Sequence, residues 1–275
     1  MALAAYASPG ERVWYYALRI IVGLVLLFLI APIIVITPLS LNAEPYFSYP
    51  MPGLSARWYE DFFQNERWQL ALRTSLIVAF LTTILATSLG TIAALGLSRA
   101  NFRFKPLVMA LLISPMIVPL VITAVGMYFR YASMGLTNTI TGLVLAHTAL
   151  ATPFVVIVVT ATLTGFDHTL TRAGASLGAP PWTVFFRIIF PLILPGLISG
   201  ALFAFGTSFD EVIVAIFISS AETRTLPKQM FSGIREVISP TITAAATFLI
   251  FIAIILLTTV ELLRRRSERL RGIRD

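Results

Sequence analysis

Residues 172–191 read RAGASLGAPPWTVFFRIIFP, a polar, turn-punctuated stretch set between two long apolar runs. Leu170, Ala173, Gly174 and Leu177 fall at i, i+3, i+4 and i+7, which lines one face of a short helix with apolar groups. Gly178 is placed to close that helix with a left-handed residue, and Pro180 and Pro181 prevent its continuation. A helix this short cannot cross a bilayer, which takes about 20 residues. Its apolar face therefore needs a partner to cover it.

Outward from this segment the chain reads as an integral membrane protein. Of its 275 residues 57% are hydrophobic and 12% charged, against about 25% charged in a soluble domain. Mean hydropathy is +0.88. The apolar runs are continuous rather than alternating, which predicts an all-α membrane protein and excludes a β-barrel. Six runs are long enough to cross ~30 Å of hydrocarbon: 17–39, 72–97, 107–129, 140–164, 192–218 and 241–263. Short loops join them, so the reading is one transmembrane domain over 1–275 with a basic tail at 264–275. No internal repeat or low-complexity segment is evident. The first run is long and no A-x-A site follows it, which argues against a cleaved signal peptide.

The net charge is +7, and its distribution fits the positive-inside bias better than nucleic-acid binding. With the N-terminus inside, the inner segments hold Arg12, Arg19, Arg99, Arg103, Lys105, Arg172, Arg187 and the arginines from Arg264 onward. The outer ones hold only Arg57, Arg67, Arg73, Arg130, Arg224, Lys228 and Arg235. Both termini and the 165–191 loop are thus expected in the cytoplasm. The basic tail reads as an orientation and surface anchor.

No phosphate-cradling G-x-x-x-x-G-K-[ST] loop occurs, nor H-E-x-x-H or G-x-S-x-G. There are no cysteines. His147 and His168 lack metal-ligand spacing; His147, within a span, reads as a hydrogen-bonded packing residue, with a role in the transport pathway as the alternative. The expectation is no catalytic site and no cofactor or metal bound by this chain.

The 172–191 segment resembles the cytoplasmic loop of permease subunits of type I ABC importers. That family's pattern is E-A-A, three residues, G, nine residues, I, one residue, L-P. Here it aligns as Arg172, Ala173, Gly174, then Gly178, then Ile188, Phe190 and Pro191, with Arg172 for Glu, Gly174 for Ala and Phe190 for Leu. The strings SPMIVPLV, SFDEVIVAIFIS and TLPKQMFSGIREVISPTI extend the resemblance over nearly the whole chain, toward the second permease of spermidine/putrescine-type importers. The resemblance implies six transmembrane helices with a coupling helix between spans four and five. Leu170, Arg172, Ala173, Gly174, Leu177 and Gly178 would meet the ATPase, with the small residues at 173 and 174 admitting its surface. It implies a bacterial inner-membrane location, a second homologous permease, a periplasmic binding protein, and two ATP-binding subunits that hold ATP and Mg. The implied solute is a polyamine; opines, amino acid derivatives and aminoalkylphosphonates are handled by the same branch. A secondary carrier would instead show inverted repeats, and none is seen.

Asp210 and Glu211, in the outer half of span five, are the sharpest intramembrane signal. An acid deep in a span costs ~2.5–3.5 kcal/mol. Adjacent side chains diverge by about 100°, so the two cannot face one neighbour. They are expected either to pair with cations such as Arg130, Arg235 or a residue of the partner permease, or to meet a cationic solute, with Phe205, Phe209 and Tyr128 stacking on its methylenes. Pro115, Pro119 and Pro153 are expected to bend spans three and four. Gly196 and Gly200, with Ala204 a turn on, form a small face suited to close packing, either within the subunit or between subunits. The outward loops 40–71 and 219–240 are the surface on which a binding protein would dock.

Overall fold

The computed structural model describes residues 8–99, 102–167, 169–236 and 238–270. His168 and residues 271–275 of the basic tail lie outside them. The helices are α1 (Pro9–Leu39), α2 (Arg57–Gln64), α3 (Glu66–Arg99), α4 (Lys105–Ile117), α5 (Leu120–Ser133), α6 (Ile140–Thr164), α7 (Thr169–Ser176), α8 (Pro181–Val184), α9 (Phe190–Phe209), α10 (Ile213–Ile218), α11 (Leu226–Glu236) and α12 (Pro240–Leu270). A π-helical turn, Phe185–Ile189, joins α8 to α9. Five helical segments are long and apolar enough to cross a membrane, and a sixth if the bent pair α4–α5 counts as one. The chain divides into two units, residues 1–63 with 237–249, and residues 64–236 with 250–275.

In the first unit, α1 opens on a capping box. Ser8 Oγ accepts the Glu11 N–H, and the Glu11 carboxylate accepts the Ser8 N–H at 2.7 Å. The loop after α1 folds around Asn42. The Asn42 amide donates to the Tyr46 carbonyl at 2.9 Å, and its backbone carbonyl accepts from the Trp58 indole at 2.7 Å. Thr241, at the start of α12, donates to Asp61 at 2.7 Å, and Phe62, Phe63 and Phe248 pack ring on ring.

The second unit is built on α3, α6 and α9, with α6 in the middle. Glycines set the spacing on both sides of it. A Cβ on Gly90 of α3 would lie 2.7 Å from Val155 Cβ, and one on Gly196 of α9 would fall 2.0 Å from Thr162 Oγ1. Gly200 faces Val155 as well. The Gly196/Gly200 face is therefore used within the subunit, the alternative left open by pattern alone. Val155, Val159, Ile193 and Ala204 form the core at this level. A second cluster joins Val78, Ala124, Leu143, Val214 and Ile218.

Two of the six runs are broken. The third run bends by 100° between α4 and α5. The cause is Pro119: the ring excludes helical backbone at the residue before it, and Val118 is extended (φ −70°, ψ 134°). By contrast, α6 continues through Pro153. The fifth run, read as continuous over 192–218, stops at Phe209 and resumes at Ile213.

Candidate functional site

The short helix predicted around 170–177 is α7. The Asp167 carboxylate accepts the Thr169 N–H at 2.8 Å and its hydroxyl at 2.7 Å, satisfying a donor at the amide end. At the other end Gly178 is left-handed, φ +79°. The Gly178 N–H donates to the Ala175 carbonyl and the Ala179 N–H to that of Gly174. This paired closure is the Schellman motif, and it requires a residue tolerant of positive φ. Pro181 then starts α8.

The faces of α7 differ from the expectation in one respect. Leu177 is 88% exposed and Leu170 44% exposed, and Arg172 and Ala173 are exposed too. Gly174 is buried. A Cβ there would lie 2.9 Å from Ile188 Cδ1 and 3.4 Å from Val184 Cγ2. Gly174 thus admits the chain's own next helical segment, and it is not open to a partner surface. The exposed surface is completed by Trp182, 72% exposed and stacked on Phe186 at 6.1 Å. The π-helical turn beneath it adds a residue to the helical register, a feature no periodicity argument anticipated.

The second cluster lies where α9 breaks. Asp210 caps α9, its N–H bonded to the Gly206 carbonyl at 3.1 Å, and its side chain is exposed. Glu211 is 8% exposed, and its Oε1 accepts the Val214 N–H at 2.7 Å. The two acids thus diverge as expected, but on a broken backbone rather than around one helix. Among the described residues neither is in an ion pair with Arg130, Arg235 or any other cation. Phe205 and Phe209 stack at 5.3 Å on the last turn of α9; Phe209 is buried and Phe205 half-buried. Tyr128 sits on α5, which packs against α10, and its ring contacts Phe129 edge-on at 5.7 Å.

Sequence reading missed what holds this break in place. Lys228 of α11 donates from Nζ to the Ser219 carbonyl at 2.6 Å, to Ser219 Oγ at 3.0 Å and to the Ile216 carbonyl at 3.4 Å. The six-residue α10 therefore has a carboxylate at its amide end and an ammonium at its carbonyl end, the arrangement its dipole favours. Burial first, and the nearby Arg224 second, push Lys228 below the usual lysine range. Its three acceptors offset that desolvation. His147 of α6 is fully buried and shares a hydrogen bond with Ser208 Oγ at 2.9 Å, just before the break; its Nε2 has no partner.

Residues 86–271 match the family described as the binding-protein-dependent transport system inner membrane component. The chain belongs to this family. The permease is 32% identical over 241 residues to the spermidine/putrescine transport system permease protein PotC of Haemophilus influenzae, covering 88% of this chain and 93% of that one. It is also 32% identical to the putrescine transport system permease protein PotI of Escherichia coli, covering 90% of each. A solved bacterial ABC transporter involved in import of the acidic polysaccharide alginate shares the fold: TM-score 0.74, 15% identity, 94% of this chain and 99% of that one. The permease is thus a multi-pass, all-α inner-membrane subunit of an ABC importer with the type I permease fold. Such subunits have no catalytic site of their own.

Proposed function

We propose that the permease forms half of a polyamine path. The single observation that carries this is Asp210, an exposed carboxylate in no ion pair among the described residues, at a helix break within a long apolar run. A carboxylate does not face lipid cheaply, so Asp210 faces the path or the subunit across it. The half-buried ring of Phe205 lies about one turn before it, stacked on the buried Phe209, and an aromatic face there suits ammonium groups and methylenes together. The names of the PotC and PotI relatives support a polyamine over the other solutes of this branch.

In this reading a second, homologous permease completes the path, and two ATP-binding subunits carry ATP and Mg. The exposed surface of α7 seats on one of them, through Leu170, Arg172, Ala173 and Leu177. Gly178 fixes the angle at which the chain returns to α9. A periplasmic binding protein delivers the solute on the far side, and both termini are cytoplasmic. The test is uptake of radiolabelled spermidine and putrescine by the reconstituted importer, against an opine and an aminoalkylphosphonate. Polyamine uptake that requires ATP supports the reading; uptake of only the other solutes removes it.

A further inference from the structure

The entrance to α3 and the helix α11 enclose a pocket that the transport reading leaves unused. Arg67, Leu70, Ala221, Arg224, Gln229 and Glu236 line a volume of about 270 Å³. The rim is exposed at Arg67, Leu70, Ala221 and Glu236, while Arg224 is half-buried and Gln229 buried. Arg224 Nη1 donates to Gln229 Oε1, which fixes the guanidinium plane. Its Nε is buried and has no hydrogen-bond partner. A buried guanidinium N–H without an acceptor is costly, and such groups are normally satisfied. Among the described residues Glu236 forms no ion pair with either arginine, and the two guanidiniums of the lining exceed its one carboxylate by a single charge.

This arrangement has the wrong sign for the transported cation, which the arginines repel. It suits one carboxylate. The Nε–Nη2 edge of an arginine meets a carboxylate with two parallel hydrogen bonds, and one added negative charge balances the excess. We propose that this pocket is a carboxylate site, filled by an acidic side chain of the binding protein when that protein docks. The proposal rests on the reading that this end of the second unit faces outward and meets a binding protein there.

The importer is reconstituted in nanodiscs with its partner permease and ATP-binding subunits and titrated with its own labelled binding protein. Arg224→Gln and Arg67→Gln are each expected to raise the docking Kd about tenfold or more, the usual scale for a lost, desolvated charge contact. Basal ATPase activity stays unchanged. Sodium acetate weakens wild-type docking more than sodium chloride at equal ionic strength. Arg224→Glu paired with one acid-to-Arg change on the binding protein restores docking. Because Arg67 stands on α3 and Arg224 in the loop before α11, the Arg67 variant decides the matter if Arg224→Gln fails to fold. Wild-type docking by both variants overturns the proposal while the transport reading stands. A thermal shift with acetate but no change in docking assigns the pocket to a free anion and overturns the protein partner. Failure of the wild-type importer to bind the protein at all removes the outward reading as well.

Discussion

Asp210 and Glu211 are covalent neighbours in different surroundings. Glu211 turns inward and its carboxylate takes the Val214 N–H; Asp210 is left exposed where α9 ends. The two substitutions should therefore separate. Asp210→Asn keeps size and hydrogen bonding but loses charge. If Asp210 receives an ammonium group, polyamine uptake falls about 10- to 100-fold, the equivalent of ~1.5–3 kcal/mol for a charge-assisted contact. The complex still assembles, as size-exclusion profiles would show. Uptake at the wild-type rate takes Asp210 out of the path. Glu211→Ala strips the buried Val214 N–H of its acceptor, which costs ~1–3 kcal/mol. Its first effect is a lower melting temperature of the purified complex, with transport falling as a consequence.

At the scale of elements, α7 and α10 are both short helices fixed at both ends, and they differ in how legible they were. The end of α7 was readable because a single glycine followed by two prolines has few conformational outcomes: Gly178 is left-handed and Pro181 restarts the helix. Gly178→Val forces a β-branched residue to φ +79°, an arrangement costing ~1–2 kcal/mol even without branching. If α7 couples the permease to an ATPase, solute-stimulated ATP hydrolysis drops toward the basal rate in that variant, and Gly178→Asn retains more of it. Equal stimulation in all three proteins argues against a coupling role. The break before α10 was misread because Val212 to Ile218 continues the apolar run without interruption, and hydropathy does not register backbone direction. Its signal was the adjacent acids, one of which caps the new helix. Lys228 was unreadable for another reason: it is nine residues from Ser219 along the chain, and only the fold brings its ammonium onto that carbonyl. Lys228→Met removes three hydrogen bonds to the carbonyl end of α10. The expected result is a lower maximal uptake rate with docking of the binding protein intact, and Lys228→Arg restores part of it.

For the molecule as a whole, the central question is which way the permease sits in the bilayer. The small residues around α6 do not answer it: a Cβ at Gly196 has no room against Thr162, so Gly196→Leu should reduce folded yield whichever end is inside. Orientation rests instead on charge. Of the 20 Lys and Arg residues, 13 fall in the termini, the 99–105 segment and the 165–191 loop, six of them in the C-terminal tail, and seven fall in the opposite segments, a bias that insertion machinery reads as inside. The chain has no cysteine, so a single introduced thiol reports on one position alone. Leu177 is 88% exposed at the end of α7, and Ala221 is exposed in the loop between α10 and α11. In intact right-side-out membranes a membrane-impermeant maleimide should label Ala221→Cys and spare Leu177→Cys. In inverted vesicles the pattern should reverse. Labelling of Leu177→Cys from outside would put α7 beyond the reach of any cytoplasmic ATPase and move the arginine pocket to the cytoplasmic side. The coupling role and the docking site would then fall together, although the fold and the family would stand.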